Sequence, residues 1–193
     1  MIEYGDAVKV ISKERGDAVV ITTMTQSGFW GQVSTHKNLD IGIANGMGKA
    51  SSVGLGVALG RPDRKVIVLD GDGSLLMNLG SLVTVAGQQP ANFYHFVFDN
   101  GVYAITGGQP VPGHEMVDYA GLARAAGYRN AYSFADVETL ATELPGIMAR
   151  PGPVLVNIKS KTVLPRGPVD QTWESNKRMP AALRAVRKTL TGS

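Results

Sequence analysis

Cysteine is absent from the 193 residues, which excludes disulfides, thiolate metal sites and a cysteine nucleophile. A cysteine-free chain fits a reducing compartment, so the expected location is the cytoplasm. No apolar run approaches the ~20 residues of a membrane-spanning helix, and no basic-then-apolar leader opens the chain. No membrane association is expected. Internal repeats and low-complexity segments are also missing. A chain of this length makes one domain with room for a tail, and can bury about 70% of its unfolded surface.

Charge is sparse and uneven. The net charge is +3, yet from Lys159 onward eight basic residues face only Asp170 and Glu174, a balance of +6 that leaves −3 on the residues before it. The division expected is a domain over 1–160 and a basic C-terminal extension over 161–193. The eight basic residues are Lys159, Lys161, Arg166, Lys177, Arg178, Arg184, Arg187 and Lys188. The extension carries no nucleic-acid-binding motif and one aromatic, Trp173, so nucleic acid is not expected as a partner. A solvated helix face is the simpler reading; the sharper one sets some of it near an anionic ligand.

What is present alternates. Helical spacing over 3–15 precedes an apolar strand at 18–21, a hydroxyl-rich stretch 22–28 and a helix at 29–36. A strand at 39–44 leads into a helix at 49–59 whose small residues, Gly54 and Ala58 among them, permit close packing. Strands at 66–70, 93–98, 130–134 and 154–159 alternate with helices at 74–88, 118–127 and 137–149, the last with Asp136 as N-cap. A terminal helix is expected at 180–190. This order predicts an α/β fold: a doubly wound, mainly parallel sheet with helices on both faces.

The stretch 66–103 organises the rest. Val66–Asp70 is a buried-strand run that breaks into Gly71-Asp72-Gly73. Strand, turn, helix and strand in succession open both strand ends on one sheet edge. Asp72 and Asn100, 28 positions apart, would then meet as two oxygen donors. A carboxylate, an amide oxygen and main-chain carbonyls suit a hard cation such as Mg²⁺. The helix start after Gly73 offers N–H groups to an anion. Metal plus phosphate is one reading; an ordinary strand–turn–helix with polar loop residues is the other. Two apparent phosphate motifs fail. Gly48-Lys49 lacks the earlier glycine and the following Ser/Thr of a P-loop, and Gly54, Gly56 and Gly60 have the wrong spacing, inside a helix.

Three ordered blocks carry a family resemblance: Asn45-Gly46-Met47-Gly48 through Leu59, Leu69-Asp70-Gly71-Asp72-Gly73-Ser74 through Leu82, and Asp99-Asn100-Gly101 through Pro110. Together they resemble the GDG…NN signature of the thiamine-diphosphate enzymes. Within that family they are similar to sulfopyruvate decarboxylase beta subunits and to the C-terminal region of phosphonopyruvate decarboxylases. The fold implied is the diphosphate-binding domain. The metal ligands implied are Asp72, the Asn100 side chain and the Val102 carbonyl around Mg²⁺, with Gly71, Gly73 and Ser74 against the diphosphate. Met47 takes the position of the apolar wedge between the two cofactor rings, and the Asn45 carbonyl the position that receives the pyrimidine amine. Thr25 and Gln26 fall in a loop that helps hold the diphosphate, although they serve equally as a helix cap. Tyr103 lines the cofactor cleft or packs in the core. Asp99 departs from the double Asn; it reaches the metal directly, through water, or caps the turn. Lys49 is a second departure, read as an anion partner or as an exposed helix-start lysine. The 107–113 loop, rich in Gly and Pro, closes over the site or lies plainly on the surface. Of the histidines, His36 carries no assigned role, His95 reads as packed in its strand, and His114 is the candidate for touching substrate.

The activity implied is decarboxylation of a 2-oxo acid, with an acidic substrate such as sulfopyruvate or phosphonopyruvate. In this family the activating glutamate comes from a pyrimidine-binding domain, and Glu3, Glu14, Glu115, Glu138, Glu143 and Glu174 lack its context. A separate alpha-type subunit in an α₂β₂ assembly is therefore implied. Acyloin-type carboligation, a non-catalytic cofactor-binding subunit and a plain nucleotide-binding domain are the alternatives.

Overall fold

The computed structural model describes residues 1–164 and 173–192, with the backbone alone for 173–178. Arg166 and Asp170 of the basic extension lie outside the described residues, as do the side chains of Trp173, Glu174, Lys177 and Arg178.

The chain opens with α1 (Tyr4–Lys13), β1 (Val19–Thr23), α2 (Met24–Val33), β2 (Asp40–Ile43), α3 (Ala50–Gly60) and β3 (Val66–Gly71). It continues through α4 (Asp72–Leu76), α5 (Ser81–Gln88), β4 (Phe93–Asp99) and a small ladder of β5 (Val102–Tyr103) with β6 (Gln109–Pro110). Then follow α6 (Tyr119–Ala126), β7 (Asn130–Phe134), α7 (Val137–Met148), β8 (Val154–Lys159) and α8 (Trp173–Thr191). Six strands form one sheet in the order β2-β1-β3-β4-β8-β7, every neighbour parallel.

Two-residue alternation divides the apolar side chains between the sheet's faces. Ile67, Leu69, Phe96, Phe98 and Val156 pack with Val8 and Ile11 of α1, Trp30 of α2 and Leu140 and Leu144 of α7. Val68, Val97 and Leu155 pack on the other side with Leu55 of α3, Leu82 and Val85 of α5, Tyr119 of α6 and Val186 of α8. Both faces are thus covered, which is why the strands read as continuous apolar runs. β1 connects to β2 on one side while β3 lies on the other, so a crevice opens between the ends of β1 and β3.

Several boundaries differ from expectation. The stretch 22–28 is not a loop: Thr22 and Thr23 belong to β1, and α2 begins at Met24, whose φ is 29°. Their hydroxyls are used inside, Thr22 Oγ1 with Ser27 Oγ at 2.8 Å and Thr23 Oγ1 to Gln26 Oε1 at 3.1 Å. The single helix expected over 74–88 is two, broken where Asn78 turns to donate to Gly48 O at 2.9 Å. α8 starts before its Pro180 and packs against β2, and its Val186 belongs to the domain's core. Asp136 caps α7 by accepting from Thr139 N, as its position suggests. No helix among the described residues is long and apolar enough to cross a membrane.

α3 approaches β3 through Gly54, where an added Cβ would lie 2.5 Å from Val68 Cγ2 and 3.0 Å from Phe93 Cε2. Gly54→Ala should therefore destabilise the fold by about 1–3 kcal/mol despite its better helix propensity. Urea unfolding checks this, and an unchanged or raised midpoint would contradict the close contact.

Candidate functional site

The crevice at the ends of β1 and β3 is lined by Thr23, Met24, Thr25 and Gln26 on one wall and Asp72, Gly73 and Ser74 on its floor. Tyr4, Met47, Asn100, Val102, Tyr103 and the 104–106 turn complete it. Parallel strand ends point their loops here together, which brings residues distant in sequence side by side.

Asp72 holds the centre. Its Oδ1 accepts from Gly73 N at 2.8 Å and its Oδ2 from Gly101 N at 2.7 Å, so the tips of β3 and β4 are tied through one carboxylate. The residue is 2% exposed, and no cation pairs with it among the described residues. Burial pushes its carboxyl up to about 6, against the pull of those two amides and with a further push from Asp99.

Asn100 faces the same space. Its Oδ1 accepts from Val102 N at 3.0 Å and its Nδ2 donates to Tyr4 Oη at 2.9 Å. Gly101 O accepts from Val111 N and Tyr103 O from Gly108 N. Strand alternation therefore turns the intervening Val102 carbonyl away from that ladder. Asp72, Asn100 and Val102 thus offer one carboxylate, one carboxamide and one main-chain carbonyl. No group of three His, Cys, Asp or Glu suited to a metal exists among the described residues. A donor set so short of carboxylates fits Mg²⁺ completed by phosphate oxygens and water, and a buried acid without a cation fits the same ion.

The floor is shaped by close contacts. A Cβ on Gly73 would fall 2.4 Å from Tyr103 Cε1, so the glycine lets that ring lie across the turn. Ser74 Oγ accepts from Gly48 N at 3.0 Å, which sets the Met47–Gly48 turn beside the crevice. Gly48 adopts φ +75°, and Asn45 before it φ +54°.

Some expected residues also make contacts within the fold, and others lie away from the crevice. Gly73 N–H is occupied by Asp72's own carboxylate, so it is not free for an anion. Gln26 is buried and donates to Asp70 O at 3.2 Å, joining β3 to α2. Thr25 lies half-buried in the first turn of α2 and is not its N-cap, a place held by Thr23. Gly71 ends β3 beneath Gln26. Asp99 does not cap the turn: it ion-pairs with Lys159 and accepts from Asn157 Nδ2 at 3.2 Å. His114 packs on Gly101, where a Cβ would meet its Nδ1 at 3.1 Å, and does not line the crevice; neither do Asn45 and the exposed Lys49. His36 is exposed, while His95 is fully buried with Nε2 3.4 Å from Asp70 Oδ2. Sequence reasoning missed Tyr4, which reads as one more apolar position of a packed helix, and Lys159, which reads as a strand's end.

The family described as "Thiamine pyrophosphate enzyme, C-terminal TPP binding domain" matches residues 21–158. The chain is 47% identical over 116 residues to a phosphonopyruvate decarboxylase of Streptomyces hygroscopicus, covering 60% of this chain and 28% of that protein. It is 44% identical over 115 residues to a sulfopyruvate decarboxylase subunit beta of Methanothermobacter thermautotrophicus, covering 60% of this chain and 58% of that one. The chain thus spans less than two thirds of the length of these relatives. Its fold is similar to the solved thiamine diphosphate-dependent 4-hydroxybenzoylformate decarboxylase of Rhodococcus jostii. There the TM-score is 0.71 at 23% identity, over 84% of this chain and 33% of that chain.

The raised Asp72 carboxyl makes stability fall as pH rises. Between an ordinary value near 4 and about 6, the folded chain holds the proton more often than the unfolded one. The stability of wild type relative to Asp72→Asn, measured without divalent cations by urea unfolding, should drop by roughly 2–3 kcal/mol from pH 4 to 7. A pH-independent difference would refute the burial account.

Proposed function

The chain belongs to the thiamine pyrophosphate enzymes through their C-terminal TPP-binding domain, and from that premise we propose that it is the diphosphate-binding, beta-type subunit of a Mg²⁺-dependent 2-oxo acid decarboxylase. Its substrate is an acidic 2-oxo acid of the sulfopyruvate or phosphonopyruvate kind. The observation that carries the reading is the 2.7 Å contact between Asp72 and Gly101, which ties the tips of β3 and β4 beside the crevice, with Asn100 and Val102 in the same loop. The names of the relatives support the substrate class.

In this reading Asp72, Asn100 Oδ1 and the Val102 carbonyl hold Mg²⁺, and the ion balances the diphosphate charge. Ser74 accepts from Gly48 N and keeps its own hydroxyl proton for a phosphate oxygen. Met47 stands on the crevice wall, where an apolar, pliant side chain can wedge between rings. Tyr103, across Gly73, keeps water from the turn. Lys159 neutralises Asp99, so a second unpaired carboxylate does not crowd the anionic ligand. When bound, thiamine diphosphate supplies the nucleophilic carbon and the electron sink for loss of CO₂.

A separate alpha-type subunit carries the pyrimidine-binding half and its glutamate, forming an α₂β₂ assembly. The designation "subunit beta" among the relatives supports this division. The protein works in the cytoplasm.

Calorimetry with thiamine diphosphate and Mg²⁺ should give saturable binding that Asp72→Ala weakens by about 100-fold or more, since it removes the one carboxylate from the cation. CO₂ release from sulfopyruvate or phosphonopyruvate should require the alpha-type chain from the same organism. A flat titration both alone and with that chain refutes the cofactor assignment. Binding without turnover of any 2-oxo acid refutes the decarboxylase.

A further inference from the structure

Asn100 is held from a direction that no cofactor contact explains. Tyr4 stands on α1 with its ring stacked on Phe29 at 5.3 Å and on Phe98 at 4.9 Å between centroids. It is 1% exposed, so its hydroxyl has no access to bulk water. That hydroxyl accepts from Asn100 Nδ2 at 2.9 Å, while Val102 N donates to Oδ1 at 3.0 Å. Both contacts select the same face of the carboxamide: nitrogen toward α1, oxygen toward the loop and the crevice.

Tyr4 is itself fixed by what surrounds it. Ile2 forms a parallel bridge with Ser160 just after β8, with Ile2 N donating to Lys159 O at 2.8 Å and Lys161 N to Ile2 O at 2.9 Å. Ser160 Oγ is buried close to the Tyr4 hydroxyl and has no hydrogen-bond partner among the described residues, so it is placed to receive the phenolic proton after a small adjustment. Thr162, two residues on, donates to the Asn100 main-chain carbonyl at 3.1 Å. Two segments far apart in sequence thus close around a single asparagine.

We infer that Tyr4 is a positioning residue that keeps the Asn100 carboxamide oxygen, rather than its NH₂, turned toward the cation. The inference rests on the Mg²⁺ and thiamine diphosphate reading above. Removing the phenolic oxygen leaves Nδ2 buried without an acceptor, and an amide relieved by rotation presents N–H groups to a positive ion. Partners that orient a metal ligand typically account for about 10- to 100-fold in metal affinity.

The test compares Tyr4→Phe with Phe29→Leu, which loosens the same aromatic stack and keeps the hydroxyl. Mg²⁺-dependent binding of thiamine diphosphate is measured by calorimetry. The Asn100 side-chain NH₂ pair is followed by NMR for shift and solvent exchange. Tyr4→Phe should weaken binding roughly 10- to 100-fold and expose the Asn100 NH₂ to fast exchange, while Phe29→Leu lowers thermal stability but leaves both nearly unchanged. Wild-type affinity in Tyr4→Phe, or an equal loss in Phe29→Leu, overturns the inference. Should wild type bind no thiamine diphosphate, the proposed function falls and the NMR arm decides alone. Loss of Asn100 protection in Tyr4→Phe then upholds the orienting contact, and unchanged protection overturns it.

Discussion

The site depends on one carboxylate that bonds two main-chain amides. Asp72 takes Gly73 N with one oxygen and Gly101 N with the other, and so locks the turn after β3 to the turn after β4. A buried acid with no cation is an expensive way to join two loops, since amide donors offset only some of the lost hydration. Its raised carboxyl is the measure of that imbalance. A stable fold had less costly choices. A carboxylate kept in this state is suited to a ligand that brings positive charge.

The surroundings extend the same pattern. On the face covered by α3, α5 and α6, the strands turn polar toward their C-terminal ends: Asp70 follows Val68, Asp99 follows Val97, and Asn157 follows Leu155. Some of these groups are satisfied inside, as where Asp99 meets Lys159 and Asn157. Another is not: Asp70 Oδ2 has no hydrogen-bond partner among the described residues. Polar groups buried at one sheet end, beside an apolar lower half, mark the edge that the fold gives over to binding.

Much of this was legible from residue order. Apolar runs such as Val66–Leu69 suit doubly covered strands, and their alternation with helices left few topologies. The glycines of the 71–73 turn and the later Asp-Asn-Gly announced two strand ends on one edge. Other features could not be read. Thr22 to Gly28 looked like a loop because hydroxyls favour loops, yet Thr22 and Thr23 found partners in Ser27 and Gln26 and the helix began at once. The 74–88 segment looked like one helix because its apolar spacing is continuous, and the break came from Asn78 reaching to Gly48, 30 residues away.

The sequence by itself determined the parallel α/β architecture, the placing of Asp72 and Asn100 at strand ends, and the family. Those follow from local periodicity, turn chemistry and motif order, which are written along the chain. Only the tertiary structure decided which atoms are spent and which stay available. Gly73 N–H goes to Asp72, Gln26 to Asp70, Asp99 to Lys159, and the amide of Asn100 to Tyr4, 96 positions away. The reason is physical: a hydrogen bond's partner is set by distance in space, and folding brings together side chains whose separation along the chain carries no signal of their meeting.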